Sequence, residues 1–150
     1  IFWNNKKIKI NPYEFYKNTT FIMDKQSAHS DLTVNENINF WCQLFNSKIN
    51  FQEIQSILKL LQLENYKDTC VNNLSYGEIK KLELFRLIIE QKKLWVLDEP
   101  FIGLDTKSVE IINQTLVNHA ELGGMVIFTS HIKSEIANIE NINLGSNENH

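Results

Sequence analysis

Cysteine and proline each occur only twice in the 150 residues, and glycine only five times. Cys42 and Cys70 lie far apart and form no CxxC pair, so neither a redox dithiol nor a zinc site is written into them. They read as two reduced thiols. A basic surplus is also missing. The formal net charge is −3, which excludes a surface that binds nucleic acid by neutralising phosphates. No apolar run approaches the roughly 18–20 residues needed to cross a bilayer; Leu84 to Ile89 is interrupted by Arg86. No secretory leader is expected from the opening residues, where Ile1-Phe2-Trp3 runs straight into Asn4-Asn5-Lys6-Lys7. There is no initiator Met, and a start inside an apolar, strand-like stretch is expected of a cut chain. The polar end, Gly145 to His150, reads as a natural frayed terminus.

What is present suits one domain, or slightly less, with a real core: hydrophobic residues make up 43% and charged residues 22%. Phe2, Trp3, Ile8 and Ile10 alternate with polar residues around Asn4-Asn5, as in a short hairpin. Phe21-Ile22-Met23 reads as a buried strand. Thr33-Val34-Asn35-Glu36 is a capping box that opens a helix through Phe45. Asn50 to Glu53 repeats that logic, with Ile54, Ile57, Leu58 and Leu61 on one face. Ser75-Tyr76-Gly77-Glu78 is a third box, followed by Ile79, Leu82, Phe85, Leu87 and Ile89. Leu94 to Leu97 and Met125 to Thr129 read as strands buried on both faces. The helix between them, from about Thr106 to Leu122, is stopped by Gly123-Gly124. Strands alternating with helices predict an α/β domain with a mostly parallel sheet. The run of helices from 33 to 91 without a strand predicts an inserted helical subdomain.

Four segments carry chemistry. Asp98-Glu99 follows the apolar run Leu94-Trp95-Val96-Leu97, and carboxylates at the C-terminal end of a buried strand lie where α/β sheets bind ligands. One acid can hold Mg²⁺ through water while the other polarises an attacking water. Ser75 and Gly77 stand at a helix start, where a hydroxyl, a small residue and free N–H groups suit an anion. Gly103-Leu104-Asp105 is a turn just past the acids, and His131 ends the next strand. Taken singly, each has a plainer reading: a solvated strand end, an ordinary capping box, a turn, a structural histidine.

Together, in this order, they resemble the nucleotide-binding domain of ATP-binding-cassette (ABC) transporters. Leu74-Ser75-Tyr76-Gly77-Glu78 is similar to the LSGGQ signature, and Leu94 to Pro100 to the Walker B strand; Gly103-Leu104-Asp105 resembles the D-loop and His131 the H-switch. The resemblance implies a P-loop NTPase-type fold over 1–150, with a helical subdomain at about 33–91, a small antiparallel part, and Walker B to H-switch at 94–131. It implies ATP and Mg²⁺ as cofactors. Asp98 would be at the metal, Glu99 would be general base, and His131 would touch the γ-phosphate. Ser75 and Gly77 would bind ATP seated on a second, head-to-tail subunit, and Asp105 would communicate across that interface. The phosphate loop G-x-x-x-x-G-K-[ST], its strand and its helix do not occur in these residues, nor does the aromatic residue that stacks on adenine, so the 150 residues alone are expected to be inactive. For the Q-loop, spacing points to Asp24 while the nearest glutamine is Gln26, and both stay open.

Leu32 to Asn37 followed by Phe40-Trp41, the Trp and Phe101 around Walker B, and Gly123 to Ile127 are similar to one group, the haem-exporter ATPases of bacterial cytochrome c maturation. That resemblance implies membrane permeases as partners, no nucleic acid, and a peripheral place on the cytoplasmic face of the inner membrane. Export of another substrate, a non-transport cassette ATPase and a non-catalytic fragment are the alternatives.

Overall fold

The hairpin forms because Asn4 and Asn5 accept left-handed backbone, with φ of 48° and 63°, as two-residue turns of this kind demand. They join β1 (Phe2–Trp3) to β2 (Lys6–Lys7), pairing Phe2 with Lys7 and Trp3 with Lys6. The computed structural model describes residues 2–10, 12–131, 136 and 139–142; the expected frayed end at Gly145–His150 lies outside them. A short helix, α1 (Pro12–Lys17), follows. Its proline sits at the first helical position, where a missing N–H costs nothing. Phe15 on α1 bridges Trp3 and Phe21, its ring 5.8 and 6.1 Å from theirs.

Three strands make one parallel sheet in the order β3 (Thr19–Ile22), β4 (Leu94–Leu97), β5 (Met125–Phe128). The register sets Thr19 beside Leu94 beside Met125, and Ile22 beside Leu97 beside Phe128. Helices α2 (Val34–Leu44), α3 (Phe51–Leu60) and α4 (Tyr76–Glu90) lie between β3 and β4 in sequence, and α5 (Thr106–Glu121) links β4 to β5. Each of α2, α3 and α4 starts with a complete capping box, built by Thr33 with Glu36, Asn50 with Glu53, and Ser75 with Glu78. Reciprocal bonds of this kind satisfy two otherwise orphaned N–H groups per helix. Gln91 ends α4 in the left-handed region at φ 48°, and Gly123, at φ 84°, follows the last turn of α5.

The core is continuous. Val34, Ile38, Leu58, Leu63, Leu82, Phe85 and Leu87 are fully buried, and they join Ile22, Trp95, Leu97, Ile112 and Leu116 in one cluster. Burying a side chain of this size stabilises by about 1.5–3 kcal/mol. Trp41 belongs to this core, whereas its neighbour Phe40 is exposed. Two expectations need correction. The strand expected at Phe21–Met23 is Thr19–Ile22, and Met23 is exposed. The strand expected to be buried on both faces at Met125–Thr129 is Met125–Phe128, and its Met125 and Ile127 are 41% and 60% exposed. Both residues lie on one face of the strand, and no described element covers that face fully.

Candidate functional site

The C-terminal ends of β4 and β5 bring the acids together with two residues of the neighbouring chain segment. The ladder continues one step past the strands, with Asp98 N–H donating to Ile22 O at 2.8 Å and Thr129 N–H to Leu97 O at 3.0 Å. This register sets the Thr129 hydroxyl between the acids. It donates to Asp98 Oδ1 at 2.7 Å and accepts the Glu99 N–H at 3.1 Å. Glu99 takes φ 44°, a left-handed backbone that costs a non-glycine residue roughly 1–2 kcal/mol. The turn faces its carboxylate toward His131, whose N–H donates to Glu99 Oε2 at 3.3 Å and whose Nε2 lies 3.5 Å from Oε1. The imidazole is otherwise open, 92% exposed.

Lys80 backs this cluster from α4. It is 5% exposed, and its Nζ donates to Asp98 O at 3.3 Å. Burial lowers its pKa, and the negative charges of Asp24 and Asp98 oppose that shift.

At the start of α4, Ser75 Oγ accepts the Glu78 N–H at 3.3 Å, and the Glu78 carboxylate accepts the Ser75 N–H at 2.7 Å. Burial tends to raise the Glu78 pKa, but hydrogen bonds from the Tyr66 hydroxyl and from Ser75 outweigh it and the net shift is downward. Gly77 touches the turn after β4 so closely that a Cβ there would stand 2.5 Å from Gly103 O. Any side chain would drive that turn away. Gly103 itself has φ 79°, and the Tyr76 ring covers the place a Cβ would take. Asp105 then caps α5, accepting the Ser108 N–H and hydroxyl, both at 2.9 Å, and forms a 2.9 Å ion pair with Lys81 of α4. The Lys81 hydrogen bond first, then those from Ser108, hold the Asp105 pKa well below the usual carboxylate range.

The structure therefore groups Asp98, Glu99 and His131, and separately groups Ser75, Gly77 and Asp105 around the Gly103 turn. Among the described residues no hydrogen bond joins Gln26 to either group. Gln26 is exposed in the loop after β3, as is Asp24. Thr129, Lys80 and Lys81 escaped sequence reasoning. Only the strand register, which places Thr129 beside Asp98, could have signalled the first.

Among the described residues no three His, Cys, Asp or Glu side chains gather to cage a metal. This donor set fits Mg²⁺, which is held by one or two carboxylates and completes its shell with water and phosphate oxygens.

A model of the ABC transporter family matches residues 1–102. The chain belongs to that family. Among curated proteins this ABC chain is 33% identical over 131 residues to the cytochrome c biogenesis ATP-binding export protein of Aliivibrio fischeri, an alignment covering 87% of the chain and 64% of that relative. It is 29% identical over 144 residues to the protein of the same name in Haemophilus influenzae, covering 96% of the chain and 68% of the relative. The chain thus spans about two thirds of the length of these relatives. Among solved structures, an ATP-binding subunit of an ABC transporter superposes with a TM-score of 0.70 at 17% identity, over 85% of this chain and 55% of that one. That likeness establishes the fold, a P-loop NTPase-type α/β domain. Among the described residues of this ABC chain, no helix is long and apolar enough to cross a membrane.

Proposed function

We propose that the chain is part of an ATP-hydrolysing ABC transporter subunit that serves haem export for cytochrome c biogenesis. The observation that carries the catalytic part is the acidic pair at the end of β4. Asp98 is tied to Thr129, while Glu99 turns out of the strand toward His131. The haem assignment rests on the similarity to the cytochrome c biogenesis export proteins.

In this reading Asp98 holds Mg²⁺ through its hydration shell, and the ion, when bound, neutralises phosphate charge. Glu99 accepts a proton from the attacking water, and His131, solvent-open and hydrogen-bonded to Glu99, presents its imidazole to the γ-phosphate. Ser75 and Gly77 offer the α4 N-terminus to ATP held on a second, head-to-tail subunit. Asp105, fixed by Lys81 and Ser108, reports across that interface. Gln26, or Asp24 in its place, serves as the Q-loop residue. Residues 33–91 form a helical subdomain that meets membrane permeases at the cytoplasmic face of the inner membrane, with exposed Phe40 available for the contact. The phosphate-cradling loop is not among these 150 residues, and ATP hydrolysis requires it.

Glu99→Gln in the whole protein tests the assignment. The amide keeps the size and loses the basic oxygen, so turnover should fall on the order of 10²–10⁴-fold. Nucleotide binding should persist, and gel filtration with ATP should show a retained dimer. Wild-type turnover in this variant would remove Glu99 from the role of base.

A further inference from the structure

A second buried charge cluster lies on α4, where that helix meets β3. Glu83, Arg86 and Glu90 follow helical spacing and so share one stripe. Glu83 and Glu90 are 4% and 7% exposed. Arg86 bridges them, with Nη1 donating to Glu83 Oε2 at 3.2 Å and both Nε and Nη2 donating to Glu90 Oε1. Its guanidinium also stands 5.6 Å from the Trp41 ring of α2. The remaining acceptor capacity goes to β3 and the loop behind it. Glu90 Oε2 accepts the Thr20 hydroxyl at 2.8 Å. Glu83 Oε1 accepts two successive backbone N–H groups, Ser27 at 2.6 Å and Ala28 at 2.7 Å, and its Oε2 accepts the Ser27 hydroxyl at 2.7 Å.

Such a network is a poor device for stability alone, because buried ion pairs can often be replaced by apolar residues of similar volume without loss. What an apolar residue cannot do is receive two N–H groups on one oxygen and so set where a backbone passes. The loop from Met23 to Gln26 is exposed along its length. It begins at Ile22, whose carbonyl holds the Asp98 N–H, and it ends at the Glu83 carboxylate. Asp24 and Gln26 therefore ride on a short arc fixed at both ends, with one end at the acidic pair and the other on α4.

We propose that Glu83 is a positioning residue for the acidic site. It clamps the far end of the arc 23–26 and so holds that arc beside Asp98, an assignment that rests on the ATPase reading above. Arg86, hydrogen-bonded to Glu83 Oε2, holds that carboxylate aimed at the arc.

Two variants of the whole protein test it. Glu83→Ala removes the acceptor; Glu83→Gln keeps its length and one oxygen but not its charge. Without nucleotide, hydrogen exchange at the Ser27 and Ala28 amides should accelerate on the order of 10–100-fold in Glu83→Ala. In Glu83→Gln the acceleration should be smaller, and β4 amides should stay as protected as in wild type. In steady-state ATP hydrolysis, kcat should drop on the order of tenfold or more in Glu83→Ala while KM stays within about twofold. Glu83→Gln should recover most of kcat. If Glu83→Ala does not fold, Glu83→Gln alone decides, because wild-type exchange at both amides overturns the clamp. Accelerated exchange with unchanged kcat in Glu83→Ala overturns the positioning role. A wild-type protein without ATPase activity overturns the functional reading and the positioning role with it, while accelerated amides would still uphold the clamp.

Discussion

In the helical stretch between β3 and β4, Val34, Ile38, Leu58 and Leu63 are fully buried, whereas in β5 Met125 and Ile127 are 41% and 60% exposed. β5 is the more apolar of the two in sequence yet the more exposed, so the difference lies in where each finds its partners. Helices α2, α3 and α4 close their own ends by boxes written within four residues, and they bury one another's stripes. β5 has no local means of covering itself. A strand's two faces and two edges are satisfied only by segments distant in sequence, and among the described residues β4 supplies one edge alone.

Substitutions on the two sides should separate sharply. Leu58→Ala removes a wholly buried side chain from between the helices and should destabilise by about 2–5 kcal/mol in urea unfolding. A cost below 1 kcal/mol would mean that the helical core is not closed. Next in size is Asp105→Ala, which removes the α5 cap and leaves the buried Lys81 without its partner; about 1–2 kcal/mol is expected at pH 7. Because the folded-state pKa of Asp105 lies below the ordinary 3.8, its contribution is complete above that value and is lost as pH falls through the folded pKa. The gap between wild type and variant should therefore shrink below about pH 4; a gap constant to pH 2 would refute it. Ser75→Ala should cost about 1 kcal/mol through loss of one capping box, read as a small drop in thermal midpoint. Smallest is Ile127→Lys, which should change stability by no more than about 0.5 kcal/mol. A charge on that open strand should nonetheless reduce aggregation of residues 1–150 in light scattering. A large loss of stability there would show that Ile127 is covered after all.

The legible parts of the sequence were those with short-range grammar. Each capping box appeared where Ser, Thr or Asn preceded Glu by three positions, and the hairpin where two Asn residues met. The acidic pair was legible because an apolar run ended abruptly in two carboxylates. The uncovered face of β5 was not, since Met125 to Phe128 are all apolar and show no alternation that would betray an open side. α1 has no buried residue, so no hydrophobic period marks it. Glu83, Arg86 and Glu90 were overlooked because charges in a helix usually read as a solvated face, although their spacing already placed them on one stripe. Thr129 needed the register, and that follows only from pairing across the sheet.

The left-handed backbone of Glu99 carries one more consequence. At φ 44° a glycine, or an asparagine, would sit with less strain. Selection for folding alone would therefore drift away from glutamate here, and a Glu99→Gly chain should be at least as stable as the original while lacking the carboxylate. Folding and chemistry pull this position in opposite directions, so in any lineage where the reaction no longer matters, residue 99 should be among the earliest of the site to change.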